Sequence, residues 1–318
     1  MIDTVSDRVI EFVATLQQWL FEGFVQPLLF AVGLMRWQED AFDATEWFVI
    51  GVLEVALLAL LLGGAQRLWP AEPLTDRGAV RTDILYTLLH RLGAVPVAIF
   101  FLVTPVFDAL EATLRLAGFS RLNLESLLPW LDGRPLMAFL AYLVVLDAAD
   151  YLIHRAQHTW RWWWALHAVH HSQRQMTFWS DNRNHLLDDL IRDGLLALLA
   201  IAIGVAPGQF VALVVVSRML QSLQHANLRW RFGAVGERLL VSPSFHRRHH
   251  AIGVGHEGRR HGCNFAVLFP IWDILGGTAD FRPGWVPTGI RDQLEGRDYG
   301  RGFWSQQWLA LRRWAGRA

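Results

Sequence analysis

Hydrophobic positions along the chain come in long blocks rather than short alternating runs, and blocks of that length predict helices. The cleanest, Trp47 to Ala65, is interrupted by one acid, Glu54, and approaches the roughly 20 residues needed to cross the hydrocarbon core of a bilayer. An earlier block, about Val13 to Met35, contains Gln17, Gln18, Glu22, Gln26 and Pro27 and reads either as a span or as a segment lying partly in the interface. A third, Ile84 to Val106, has His90 and Arg91 near its start and Pro96 inside, and predicts a kinked helix whose polar end reaches the interface. From Phe107 to Arg134 the pattern is mixed, a loop or a surface helix. A fourth block starts at Pro135, stays apolar to Leu146, and keeps helical character through Tyr151 to His158. One helix can therefore carry His154 and His158 out of the membrane. Ser172 to Asp193 is polar, and Gly194 to Val216 is apolar but broken at Pro207-Gly208, which predicts two half-length helices in a shallow hairpin. The expected fold is all-α: a multi-pass transmembrane helical bundle with a histidine-rich helical cap.

Composition sharpens this picture. With 53% hydrophobic and 18% charged residues, the chain is more apolar than an ordinary soluble domain, so an integral membrane protein is the first expectation. Zero net charge and the lack of like-charge runs argue against a nucleic-acid partner. The acidic N-terminus (Asp3, Asp7, Glu11) lacks a signal-peptide pattern, which leaves insertion to internal helices. Residues 155–192 hold five arginines against three acids and residues 217–262 eight against two, while Gln38 to Glu46 is acidic. The positive-inside rule then puts the cap on the cytoplasmic side. All 29 basic residues are arginine, the habit of a GC-rich genome, which suggests a bacterial inner membrane. The run Trp160 to Trp164 either anchors the cap at headgroup level or packs on its own helices.

The candidate chemistry lies in histidine. Eight of the 13 histidines fall in three clusters: His154 and His158; His167, His170 and His171; His246, His249 and His250. Side chains three or four apart on a helix leave from one face, so each cluster can aim at one point. Ser242 as N-cap and Pro243 at the first helical position start a short helix for the third cluster, with Gly253 and Gly255 to end it. Eight imidazoles exceed what one ion uses, which implies a dinuclear site. The single cysteine, Cys263, rules out a thiolate cluster, and imidazole accepts iron and zinc alike. His256 and His261 are five apart, a spacing that does not share a helical face, so a zinc-peptidase reading is rejected.

These motifs resemble the fatty acid hydroxylase superfamily, which includes the sterol desaturases. The resemblance rests on Asp147-x-x-x-Tyr151-x-x-His154-Arg155-x-x-His158, Leu166-His167-x-x-His170-His171-Ser172, Pro243-x-x-His246-x-x-His249-His250, and a closing stretch with Asn264 and Trp272 to Thr278. It covers about residues 135–280, leaving N-terminal membrane helices in 1–134 and a C-terminal cytoplasmic tail in 281–318. The chain departs from the family at Gly276, usually aromatic, and at Phe265-Ala266, often Tyr-Gly, positions that concern packing. The resemblance implies the three clusters as metal ligands, with His225 and His185 as further ones. Asp147 and Asp150 either orient imidazoles by accepting their second N–H or cap the membrane helix.

It also implies two iron ions, with zinc as a substitute in purified protein, and O2 as co-substrate. The reaction would be C–H hydroxylation of a membrane lipid, with desaturation as the variant, fed by an external electron donor of ferredoxin or cytochrome type. A noncatalytic or transport-type metal-binding membrane protein is the alternative. A transporter should place ligands at midmembrane, whereas here they gather at one end.

Overall fold

The computed structural model describes residues 2–118, 123–253 and 261–317, and among them every regular element is helical. A lone antiparallel bridge joins Ala251 to Thr288. In chain order the α-helices are α1 Ile2–Leu20, α2 Gln26–Ala31, α3 Gln38–Leu68, α4 Arg77–Arg91, α5 Ala94–Leu116, α6 Leu124–Leu127, α7 Pro135–Thr159, α8 Arg161–His171, α9 Leu186–Ala202, α10 Pro207–His225, α11 Gly233–Leu239, α12 Pro243–His249, α13 Ile271–Gly276 and α14 Phe303–Trp314. Three helical stretches, Met35–Leu68, Ala94–Leu116 and Pro135–Thr159, are long and apolar enough to cross a membrane. The first apolar block is not among them. It forms α1 and α2 around a π turn at Phe21–Val25 and lies along α3, where Gln17 donates to the Phe42 carbonyl at 2.9 Å.

The third apolar block is two helices, not one. Gly93 adopts φ 89°, a left-handed conformation that separates α4 from α5. Pro96 then falls in the first turn of α5, where its missing N–H breaks no helical bond, and the proline inside the helix is Pro105. His90 and Arg91 close α4 and, instead of reaching the interface, are buried. A buried guanidinium is costly unless paired, and Arg91 has partners from three directions. It donates to Glu54 Oε2 at 2.8 Å, Asp181 Oδ2 at 3.0 Å and Ser222 Oγ at 2.8 Å. Any side chain at Gly51 would overlap the Arg91 carbonyl, so this glycine permits the close approach of α3 to α4.

The break before Pro207 occurs as expected, with Pro207 in the first turn of α10. The two helices, however, run to 17 and 19 residues rather than half length. Each continues into polar sequence because that sequence is buried: Asp188 and Asp189 open α9, and Ser222, Gln224 and His225 close α10. The Ser242 hydroxyl accepts the Phe245 N–H at 3.1 Å and starts α12, which ends at His249, ahead of Gly253. Beneath it, Tyr151, Val241, Phe245 and Phe265 form an apolar floor. At Gly276, where the chain departs from the family pattern, a Cβ would overlap the Tyr151 hydroxyl as it stands in this chain.

Candidate metal centre

The helices bring nine imidazoles into two adjoining buried groups. His154, His158, His167, His171 and His249 form one, and His170, His225, His246 and His250 the other; within each group the ligand nitrogens lie within 4.8 Å of one another. The groups abut where the His171 and His250 rings stack at 4.3 Å. No cluster other than the first aims at a single point. In an HxxHH run on α8 or α12, the first and fifth positions are about 40° apart around the helix at roughly 100° per residue, while the fourth lies about 60° to the other side. His167 and His171 accordingly enter the first group and His170 the second. On α12, His246 and His250 enter the second and His249 the first.

In the first group the second ring nitrogen of each of four imidazoles is held by protein. The Nδ1 atoms of His154, His158 and His249 meet the carbonyls of Phe265, His261 and Cys263 at 2.7, 3.2 and 2.8 Å. His167 Nδ1 meets Asp188 Oδ2 at 2.9 Å. Carbonyl and carboxylate oxygens only accept, so the proton sits on Nδ1 and the Nε2 lone pair is left for a cation. The Nε2 atoms of His167, His171 and His249 are buried without a hydrogen-bond partner.

In the second group, Nε2 of His225 lies 3.2 Å from that of His170 and 3.1 Å from that of His246, which is 3.1 Å from Nε2 of His250. Nitrogen donors around an ion bound at roughly 2.0–2.1 Å are spaced similarly, about 3.3 Å in a tetrahedral set. His225 Nδ1 donates to the Gln221 carbonyl at 2.9 Å and has Asp181 Oδ1 at 3.6 Å. Burial pushes the basicity of His170, His171, His246 and His250 well below the usual imidazole range, and that of His249 down to about 3, so these rings are neutral at pH 7. Neutral, buried, converging imidazoles with unpartnered nitrogens fit metal ions of the iron and zinc type.

Three expectations are corrected. His185 joins neither group: it caps α9, its Nδ1 accepting the Leu187 N–H at 3.0 Å while Nε2 reaches the Gln307 carbonyl at 3.2 Å, so both ring nitrogens are already used. Asp147 orients no imidazole; it accepts the backbone N–H groups of Leu268 and Phe269 and the Trp272 indole, tying α7 to the segment after Asn264. Asp150 pairs with Arg192 at 2.8 and 2.5 Å. The carboxylates that do touch ligands are Asp188 and Asp181, which the motifs did not reveal. Their signal was an acid at the head of an apolar helix and one within a polar loop. Asp188 accepts from Gln157 Nε2 and Trp163 Nε1, both at 2.7 Å, as well as from His167.

In the Trp160–Trp164 run, Trp163 is buried and the Trp164 ring lies 5.0 Å from that of His158, the expected packing on the chain's own helices, while Trp160 and Trp162 are exposed. His261 supplies the carbonyl to His158 noted above, and His256 lies outside the described residues. A cavity of about 50 Å³, room for one or two water-sized molecules, is lined by His154 and His167 of one group and His170, His225 and His246 of the other.

The described helices thus combine three stretches long and apolar enough to cross a bilayer with two buried histidine groups that could each hold a metal ion. Residues 139–278 match the sequence model of the fatty acid hydroxylase family. The chain is similar to ornithine lipid hydroxylase OlsE of Rhizobium tropici, 29% identical over 73% of this chain and 66% of that protein. It is also similar to the alkylglycerol monooxygenase of Caenorhabditis elegans, 32% identical over 41% of this chain and 24% of that protein. The chain thus spans less than two thirds of the length of these relatives. No solved structure matches it.

Proposed function

We propose that the protein is a membrane-bound two-iron oxygenase that hydroxylates a C–H bond of a membrane lipid. The observation that carries this reading is the pair of adjoining imidazole groups, five and four ligands strong, with buried unpartnered nitrogens. The overall balance would be R–H + O2 + 2 electrons + 2 protons → R–OH + H2O. The electrons would come one at a time from an external ferredoxin- or cytochrome-type carrier. Two irons in the groups would supply oxygen activation and hydrogen abstraction, the chemistry imidazole-rich iron sites are suited to.

The rest is the work of the chain's own residues. The carbonyls of Phe265, His261, Cys263 and Gln221 and the carboxylates of Asp188 and Asp181 fix the rings and keep their protons on Nδ1. The small polar cavity admits a molecule of O2 or water size, while the surrounding burial excludes bulk solvent. We place the centre on the cytoplasmic side of a multi-pass bundle, in a catalytic unit of about residues 135–280, where a lipid chain can enter laterally between apolar helices. The names of both relatives, one a lipid hydroxylase and one an alkylglycerol monooxygenase, support a lipid substrate.

The test is lipid mass spectrometry of cells lacking the gene, restored with it, or restored with the His170→Ala, His249→Ala double variant. A lipid heavier by one oxygen only with the intact protein is expected, and a product lighter by two hydrogens would instead indicate desaturation. No difference across a broad lipid screen, together with full metal loading, refutes the catalytic reading.

A further inference from the structure

The C-terminal segment, expected as a cytoplasmic tail, ends in α14, a folded helix docked on α8. Its inner face is specific. Phe303 packs on Tyr86 with ring centroids 4.7 Å apart. Gln307 donates to the Tyr86 hydroxyl at 3.0 Å and the Asn184 carbonyl at 2.9 Å, and accepts the Leu186 N–H at 2.9 Å. The outer face is of a different kind. Trp304 and Trp308, one turn apart, are 78% and 63% exposed beside exposed Arg312, and Trp314 in the last turn, past the docked residues, is 49% exposed. A soluble surface rarely leaves three tryptophans of one short helix uncovered. At 12 residues α14 is too short to cross a bilayer.

The surroundings identify what covers this face. α8 begins immediately after α7, one of the three candidate spans, and the residues at that junction, Trp160 and Trp162, are also exposed. Tryptophan collects at the boundary between hydrocarbon and headgroups. Residues 281–318 hold seven arginines against three acids, the sign that anionic headgroups attract. We propose that α14 lies in the membrane interface, its tryptophans among the headgroups of an anionic bilayer, continuing the tryptophan belt that begins where α7 ends. Through Gln307 it then ties that surface to the start of α9, two residues before Asp188.

This inference rests on α7 being a membrane span, so the experiment reports on both separately. In a Cys263→Ser background, single nitroxide labels are placed at Trp304→Cys, Trp308→Cys and Ala315→Cys, the last leaving every tryptophan intact. A fourth, at Val144→Cys, sits on the exposed face of α7. The full chain is studied in nanodiscs of phosphatidylcholine with or without phosphatidylglycerol, by paramagnetic accessibility to O2 and to a water-soluble nickel chelate. The expected result is oxygen-dominated accessibility at the α14 sites, shallower than at residue 144. It should deepen with phosphatidylglycerol, and Arg312→Glu with Arg317→Glu should abolish that deepening. Nickel-dominated accessibility on α14 with residue 144 still in lipid overturns the inference alone. Exclusion of both reagents from α14 also overturns it, in favour of a covering protein. Nickel access at residue 144 overturns the membrane reading beneath it.

Discussion

Asp188 is the sharpest test of how the centre is built. Its carboxylate, 2% exposed, accepts three hydrogen bonds: one oxygen takes Gln157 Nε2 and Trp163 Nε1, the other takes His167 Nδ1. In Asp188→Asn one oxygen becomes an NH2 of the same size. Facing the amide oxygen toward Gln157 and Trp163 keeps two of the three bonds, whereas facing it toward His167 keeps one, so the first orientation wins. His167 then meets a donor, must accept on Nδ1, and carries its proton on Nε2, where it can no longer bind metal. Loss of such an orienting carboxylate typically costs 10–100-fold in metal affinity, or about 1.4–2.7 kcal/mol. The loss should fall on the five-histidine group only, with the four-histidine group unaffected. Asp188→Ala differs in kind: it strands three buried donors at roughly 1–3 kcal/mol each, and should destabilise the fold by about 3 kcal/mol or more. The assay is titration of iron-loaded protein with graded chelators, counting metal per chain, alongside thermal unfolding. Asp188→Asn that retains both ions with wild-type affinity, or that releases both together, would refute the tautomer argument.

Other perturbations follow from the same contacts. Gly276→Ala forces a methyl into the Tyr151 hydroxyl and should cost about 1–3 kcal/mol; adding Tyr151→Phe should restore most of it, measured by chemical denaturation of the double-mutant cycle. Arg91→Met leaves the Glu54 and Asp181 carboxylates buried without their cation and should destabilise by about 3–5 kcal/mol, read from the unfolding midpoint. His185→Ala should leave metal content unchanged while removing an N-cap worth about 1 kcal/mol; a fall in metal per chain would restore His185 to the ligand set. Burial pushes the Cys263 thiol up to about 12, so at pH 8 it stays protonated. It should resist iodoacetamide until the protein is denatured, and rapid alkylation of the folded protein would contradict its burial.

What the sequence made legible was whatever a single helix dictates. The spacing of the clusters, the Ser242 cap and the break before Pro207 are local, and each appears in the structure. What it hid depends on distant partners. Nothing near His90 and Arg91 indicates that Glu54, Asp181 and Asp189 wait for them on other segments, so a polar helix end looked like an interface. Asp147 and Asp150 sit within two turns of His154, yet proximity along the helix lost to partners across the bundle. The same logic kept α9 and α10 longer than their apolar cores, because polar residues in a buried layer continue a helix as readily as apolar ones once their hydrogen bonds are made.

The histidine clusters show the limit within a helix as well. Shared-face reasoning treats positions one, four and five of HxxHH as equivalent, but the fourth and fifth are about 100° apart. Between two closely spaced ions that angle is enough to divide the motif. α8 gives its first and fifth positions to the five-membered group and its fourth to the other, and α12 does the reverse. The two helices thus exchange ligands across the centre, and α7 and α10 complete it with His154 and His158 on one side and His225 on the other. Each group draws on both HxxHH helices, so neither helix can shift without disturbing both groups. It also follows that His170→Ala with His249→Ala, one substitution per motif, removes one ligand from each group, whereas His167→Ala with His171→Ala would empty one group of two ligands and spare the other.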